Sequence, residues 1–212
     1  SKMEDMLEEL VFPENALGRT IAGPREVIRT VPREALMAYH AAHYTTLRTA
    51  IALSGNISKE AEAKVEATFG KWKKPKKDFA HSIQRFTPRT PKKGEWLAFF
   101  SKKTEQVQLG LAFHGLEAKA SELPALKLLS HILGGSMSSR LFVEVREKRG
   151  LCYNVSAGHV AFEDTGAFII SAGLDTKRVK EAVQVIWKEL QKIVTDGVTA
   201  TELSHAKDHI RG

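Results

Sequence analysis

The twenty residues from Gly134 to Tyr153, GGSMSSRLFVEVREKRGLCY, constrain the fold most, because a glycine turn, a charged helix and the start of a strand must share them. Gly134-Gly135 ends an apolar helix, and Ser136, Ser138 or Ser139 can cap a new one by accepting from its first free N–H groups. Leu141, Val145 and Lys148 fall at i, i+4 and i+7, with Phe142 beside Leu141. One side of this helix is therefore apolar, while Glu144, Glu147 and Arg149 face water. Gly150 stops the helix as a left-handed cap, and Leu151 to Val155 alternates as a strand. Arg146 and Tyr153, seven residues apart across this reversal, are placed to converge. The competing reading is structural, with Arg146 paired to Glu144 or Glu147 and Tyr153 in the core.

The 212 residues are 42% hydrophobic and 27% charged, which suits a globular protein of one large or two ordinary domains. Part of the net charge of +7 comes from Lys71, Lys73, Lys74, Lys76 and Lys77, interleaved only with Trp72 and Phe79. No nucleic-acid-binding motif accompanies them, so they read as an exposed connector and no nucleic-acid partner is expected. Cys152 is the sole cysteine and excludes an intramolecular disulfide. No apolar run reaches the roughly eighteen residues of a membrane span, no signal peptide is visible, and the expected compartment is the cytoplasm.

Along the chain, Met6, Leu7, Leu10 and Val11 predict an opening helix, followed by a loop through Asn15, Gly18 and Gly23-Pro24. Thr30 is the expected cap of a helix carrying Ala35, Leu36, Tyr39 and Ala42, with Pro32 at an early position. His40 and His43 at its end have metal-compatible i, i+3 spacing, but no third ligand stands nearby, so His43-Tyr44 is read as closing the helix and stacking in the core. Leu47 to Ser54 reads as a strand, and Ser58 caps a helix ending at Phe69-Gly70. The basic stretch with Pro75, Pro88 and Pro91 connects to two predicted strands, Trp96 to Ser101 and Gln106 to Phe113. Ser121 starts a helix striped by Leu126, Leu129 and Leu133. Ala167 to Ala172 makes a further strand, and Thr176 begins a long helix with Val179, Val183, Ile186, Leu190 and Ile193 on one face. Thr199 and Glu202 form a capping box for the last helix. Strand groups separated by helices predict an α+β class with mostly antiparallel sheets flanked by helices.

In this order, the residues resemble the pitrilysin-type inverzincin zinc peptidases, the insulinase and mitochondrial processing peptidase-like family, and particularly its bacterial processing-protease-like members. Phe12 with Leu17-Gly18-Arg19 and Gly23 is similar to the family's "F…PLGR…G" loop, with Ala16 where proline is usual. His43-Tyr44, Ser54-Gly55-Asn56 and Phe69-Gly70 follow, then Thr104-Glu105-Gln106, the twenty-residue block, Gly166, Glu202-Leu203 and Ala206-Lys207. The resemblance implies two similar α+β domains closing around a peptide. Residues 1–72 would be the later part of the zinc-bearing domain, 73–94 the linker, and 95–212 the earlier part of the substrate-binding domain. The family's H-x-x-E-H motif is absent, so the expected zinc belongs to the intact parent and none is expected in this chain.

The resemblance also implies a role for the pair at the reversal. Arg146 and Tyr153 match the family's arginine and tyrosine that reach across to the substrate. Both can donate hydrogen bonds to the carbonyl oxygen as zinc-activated water attacks the amide. Gly134 and Gly135 either admit a substrate backbone or simply end a helix. Glu105 with Gln106 is either a substrate contact or a polar strand entry. The function implied is metalloendopeptidase cleavage of peptides or targeting sequences in a closed chamber, by a homodimer or heterodimer of the parent. The alternative is a non-catalytic partner or scaffold subunit of the same fold.

Overall fold

The computed structural model describes residues 2–75, 85–89 and 92–212. Lys76, Lys77, Phe79 and Pro91 of the predicted connector lie outside the described residues. In chain order the helices and strands are α1 (Lys2–Val11), α2 (Arg25–Thr30), α3 (Arg33–His43), α4 (Lys59–Phe69), β1 (Gln106–His114), α5 (Leu123–Gly134), β2 (Cys152–Ala161), β3 (Gly166–Asp175), α6 (Val179–Asp196) and α7 (Ala200–Arg211). A 3-10 turn covers Ala16–Gly18, and a π-helical turn covers Phe142–Glu147. The class is α+β, as the pattern predicts. The chain forms two compact units, Ser1–Thr20 with Gln84–Gly212, and Ile21–Ile83.

The first unit is built on an antiparallel sheet of order β1-β3-β2. One face carries Leu109 and Leu111 of β1, Val155 and Ala157 of β2, and Phe168, Ile170, Ala172 and Leu174 of β3. Leu133 of α5, Leu141 and Val145 beyond it, and Ala182 and Ile186 of α6 complete this core. Burying each large aliphatic side chain stabilises by about 1.5–3 kcal/mol. On the opposite face α1 crosses β1 above Gly110, where an added Cβ would stand 2.5 Å from Leu7. Phe12 follows in a smaller core with edge-on contacts to Phe86 and Phe162.

The second unit comprises α2, α3, α4 and their connections. Ser58 caps α4 as predicted, accepting from Ala61 N–H at 3.2 Å. Two strand expectations fail. Leu47–Ser54 in this unit and Trp96–Ser101 in the other have no ladder partner among the described residues, and Ile51, Leu53, Trp96, Leu97, Phe99 and Phe100 are exposed. An apolar or aromatic run marks strand capacity, but only a partner makes a strand.

Several expected caps also move. Thr30 ends α2 and donates to Glu26 O, while Pro32 occupies the cap of α3. Ser121 donates to Glu122, which caps α5, and α6 starts at Val179 after Arg178 rather than at Thr176. Ser139 donates its hydroxyl to Ser136 O at 2.6 Å instead of accepting from the following turn.

The last helix is held from two sides. Thr199 and Glu202 form the predicted capping box, and Arg140 reaches from the loop after α5 to grip the same carboxylate. Its Nε donates to Glu202 Oε1 at 2.6 Å and its Nη2 to Oε2 at 2.8 Å and Gly197 O at 3.0 Å. Arg140 is the largest cause holding Glu202 down to about 2, against an ordinary 4.5. A lowered folded value means the pair stabilises above the ordinary value and loses its contribution as pH falls towards 2.

Two outcomes follow for equilibrium urea unfolding. Glu202→Gln lowers stability by about 1–3 kcal/mol at neutral pH, with the deficit shrinking as the buffer is taken from about pH 5 down towards 2; a deficit independent of pH contradicts the linkage. Gly134→Ala places a Cβ 2.2 Å from Ala157 N and 2.7 Å from Ser156 C. It should cost about 1–3 kcal/mol through the helix–strand contact, and wild-type stability would disprove that close packing.

Candidate functional site

The close approach of α5 to β2 sets the geometry of the predicted reversal. Gly134 is buried against Ser156 and Ala157, whereas Gly135 is exposed with His131 behind it. This supplies a packing reason for glycine at 134. Arg140 then anchors the loop, and the chain re-enters a helix that widens into the π-helical turn. Leu141 and Val145 are fully buried, as is Leu151 after the turn. The closing bonds run from Lys148 N to Val143 O, Gly150 N to Arg146 O and Leu151 N to Val145 O, all at 2.9 Å. Gly150 takes the left-handed conformation (φ 58°), as its place after the helix predicts.

Arg146 projects from the exposed side of this turn, with its guanidinium 4.8 Å from the Phe142 ring centroid. It has no carboxylate partner among the described residues. Glu144, expected to face water, instead accepts from Lys148 and Arg149, each at 2.6 Å. Those two cations hold it down to about 2. The proposed pairing of Arg146 with Glu144 is therefore occupied by its neighbours.

Tyr153 stands at an irregularity that periodicity does not foresee. Cys152 lies opposite Leu174 and Asn154 opposite Gly173, so Tyr153 is the extra residue of a β-bulge. Bulges re-aim side chains and are over-represented beside active sites. Here the phenol is 61% exposed rather than in the core. Cys152 beside it is buried, which pushes its thiol up, while Arg146 acts on it in the opposite sense. Arg146 thus lies within electrostatic reach of Tyr153's neighbour, though no direct hydrogen bond joins the pair.

Glu105 is exposed just before β1. Gln106 faces Asp175 and Gln108 faces Gly173, the residue that also faces Asn154. Glu105-Gln106 and Tyr153-Asn154 therefore share one end of the sheet. The π-helical turn and the bulge escaped sequence reasoning, but Gly173 inside a strand pattern was an available signal for a bulge or a close approach.

The residues present do not fit a zinc ion. No group of three or more His, Cys, Asp or Glu side chains among the described residues can hold a metal. His40 stacks on Tyr44 at 4.7 Å and 12°, and His43 lies 4.1 Å from Tyr39, but both tyrosines are exposed, so this stacking is on the helix surface and not in a core as expected. No helix among the described residues is long and apolar enough to cross a membrane.

Comparison with known proteins places this geometry in a family. The profile of the peptidase M16 inactive domain matches residues 30–210. The chain is 33% identical to a Bacillus subtilis protein named as an uncharacterized zinc protease, over 99% of this chain and 50% of that protein. An uncharacterized zinc protease of Streptomyces coelicolor is 30% identical over 99% and 46%. The chain spans about half the length of these curated relatives. A crystal structure of a peptidase M16 inactive domain from Pseudomonas fluorescens superposes with a TM-score of 0.80 at 26% identity, covering 99% of this chain and 50% of that one. A chain of complex III2 from Candida albicans shares the fold alone, with a TM-score of 0.75 at 18% identity over 99% and 50%. Matched over most of its length by the family's domain, the chain belongs to the M16 peptidase family.

Proposed function

We propose that the full-length protein is a zinc-dependent endopeptidase acting on peptides or targeting sequences in a closed chamber, and that this chain contributes the groups that hold the substrate. The observation carrying this reading is the display of Arg146 and Tyr153. Among the described residues one has no carboxylate partner on a π-helical turn, and the other stands exposed on a bulge beside Cys152, which lies within electrostatic reach of Arg146. Relatives named as zinc proteases support a zinc-containing parent. The ion would be held by residues outside this chain.

On this reading residues 1–72 belong to the metal-bearing domain, 73–94 link, and 95–212 bind substrate, with α1 docked on the sheet of the later domain. Hydrolysis of an amide places negative charge on the carbonyl oxygen. The Tyr153 hydroxyl and the Arg146 guanidinium are hydrogen-bond donors suited to that oxygen, and a guanidinium without a carboxylate partner has its donors available. Gly135 and Glu105 would border the same peptide. The parent would work in the cytoplasm as a homodimer or heterodimer. A non-catalytic partner subunit of this fold would bind peptide without cleaving it.

In the full-length protein, Tyr153→Phe and Arg146→Ala should each lower kcat/KM for peptide hydrolysis by about 10²–10³-fold, with zinc content and melting temperature unchanged. Wild-type kcat/KM in both variants would contradict the assignment, and a full-length protein that binds peptide but neither holds zinc nor hydrolyses it would favour the partner-subunit reading.

A further inference from the structure

The bulge that exposes Tyr153 also fixes the next side chain. Asn154 Oδ1 accepts from the Gly173 N–H at 3.1 Å. A backbone N–H can only donate, so the amide oxygen must face it and the Nδ2 group must point away. Gly173 makes this possible, since a Cβ there would stand 2.4 Å from Asn154 Oδ1 and 2.7 Å from Gln106 Oε1. Only a residue without a side chain lets both amide oxygens close over β3. Gln106 Oε1 in turn accepts from Gln108 Nε2 at 3.4 Å, so a neutral amide cluster spans the three strands beside Tyr153. Asn154 is exposed, and among the described residues its two amide N–H groups have no partner. Two donors are thus held in a fixed direction and left unoccupied.

We propose that Asn154 is a substrate-binding residue, donating to a backbone carbonyl on the same side of the peptide as the one held by Tyr153 and Arg146. This rests on the substrate-binding reading of that pair. The chemistry suits a peptide backbone rather than an anion. The donors are neutral, and the carboxylates of Glu105 and Asp175 stand at the same end of the sheet. Carbonyls on one side of an extended chain recur every second residue, about 6.6 Å apart, so two donor side chains on one surface meet alternate carbonyls of a bound peptide.

The test uses full-length protein with fluorescein-labelled β-casein, read as KM and kcat for hydrolysis and as Kd by polarisation with metal-free protein. Asn154→Asp keeps an oxygen for the Gly173 N–H but removes both donors, and Asn154→Ser replaces them with a single shorter hydroxyl without adding charge. Both should raise KM and Kd about five- to tenfold, with kcat within about twofold of wild type. If the Asp variant does not melt cooperatively, the Ser variant decides. Wild-type KM and Kd in these variants, with Tyr153→Phe impaired, would overturn the donor role alone. A rise in Asn154→Asp only would mark charge repulsion and overturn it too. Wild-type kcat/KM in Tyr153→Phe would overturn the reading of the pair itself.

Discussion

Leu141, Val145, Leu151 and Leu174 form one apolar layer without solvent exposure, and the backbone between them departs from regular structure three times. The π-helical turn, the left-handed Gly150 and the bulge at Tyr153 all lie between or beside these anchors. Each buried aliphatic side chain contributes about 1.5–3 kcal/mol, and Gly150 takes its left-handed φ without the strain a side chain would bring. The consequence for function is rigidity, because a site on a loop is precise only when the surrounding packing over-determines it.

Charge placement sharpens the same picture. Four cations lie between residues 140 and 149, and three are bound to carboxylates: Arg140 to Glu202, and Lys148 and Arg149 to Glu144. Arg146 alone among these four has no carboxylate partner among the described residues. A fold using arginine only for cohesion would spend the fourth cation similarly. The Arg146 guanidinium lies over Phe142, beside the edge strand that carries Tyr153.

Much of this was legible in the sequence because it follows local rules. Gly150 as a left-handed stop, the capping box at Thr199, the Ser58 cap and the buried stripe of α6 each depend on neighbours within a few positions. The two lost strands show the limit, since the apolar runs at 47–54 and 96–101 carry no information about a pairing partner. The site was legible as residues but not as geometry. Spacing predicted that Arg146 and Tyr153 face a common reversal, but not that a bulge turns the phenol to solvent or that Lys148 and Arg149 occupy Glu144. Those facts depend on strand register and on competition among cations. The role of Gly134 shifted for the same reason: a turn glycine by sequence, it is a packing glycine against β2 in space.

The most direct measurement is a crystal structure of the metal-free full-length protein with an uncleaved peptide bound. The expected result is the Tyr153 hydroxyl within about 2.7–3.0 Å of a peptide carbonyl oxygen, and the Arg146 guanidinium engaged with the same stretch of backbone. A peptide bound elsewhere, with Tyr153 and Arg146 both left to solvent, would contradict the account.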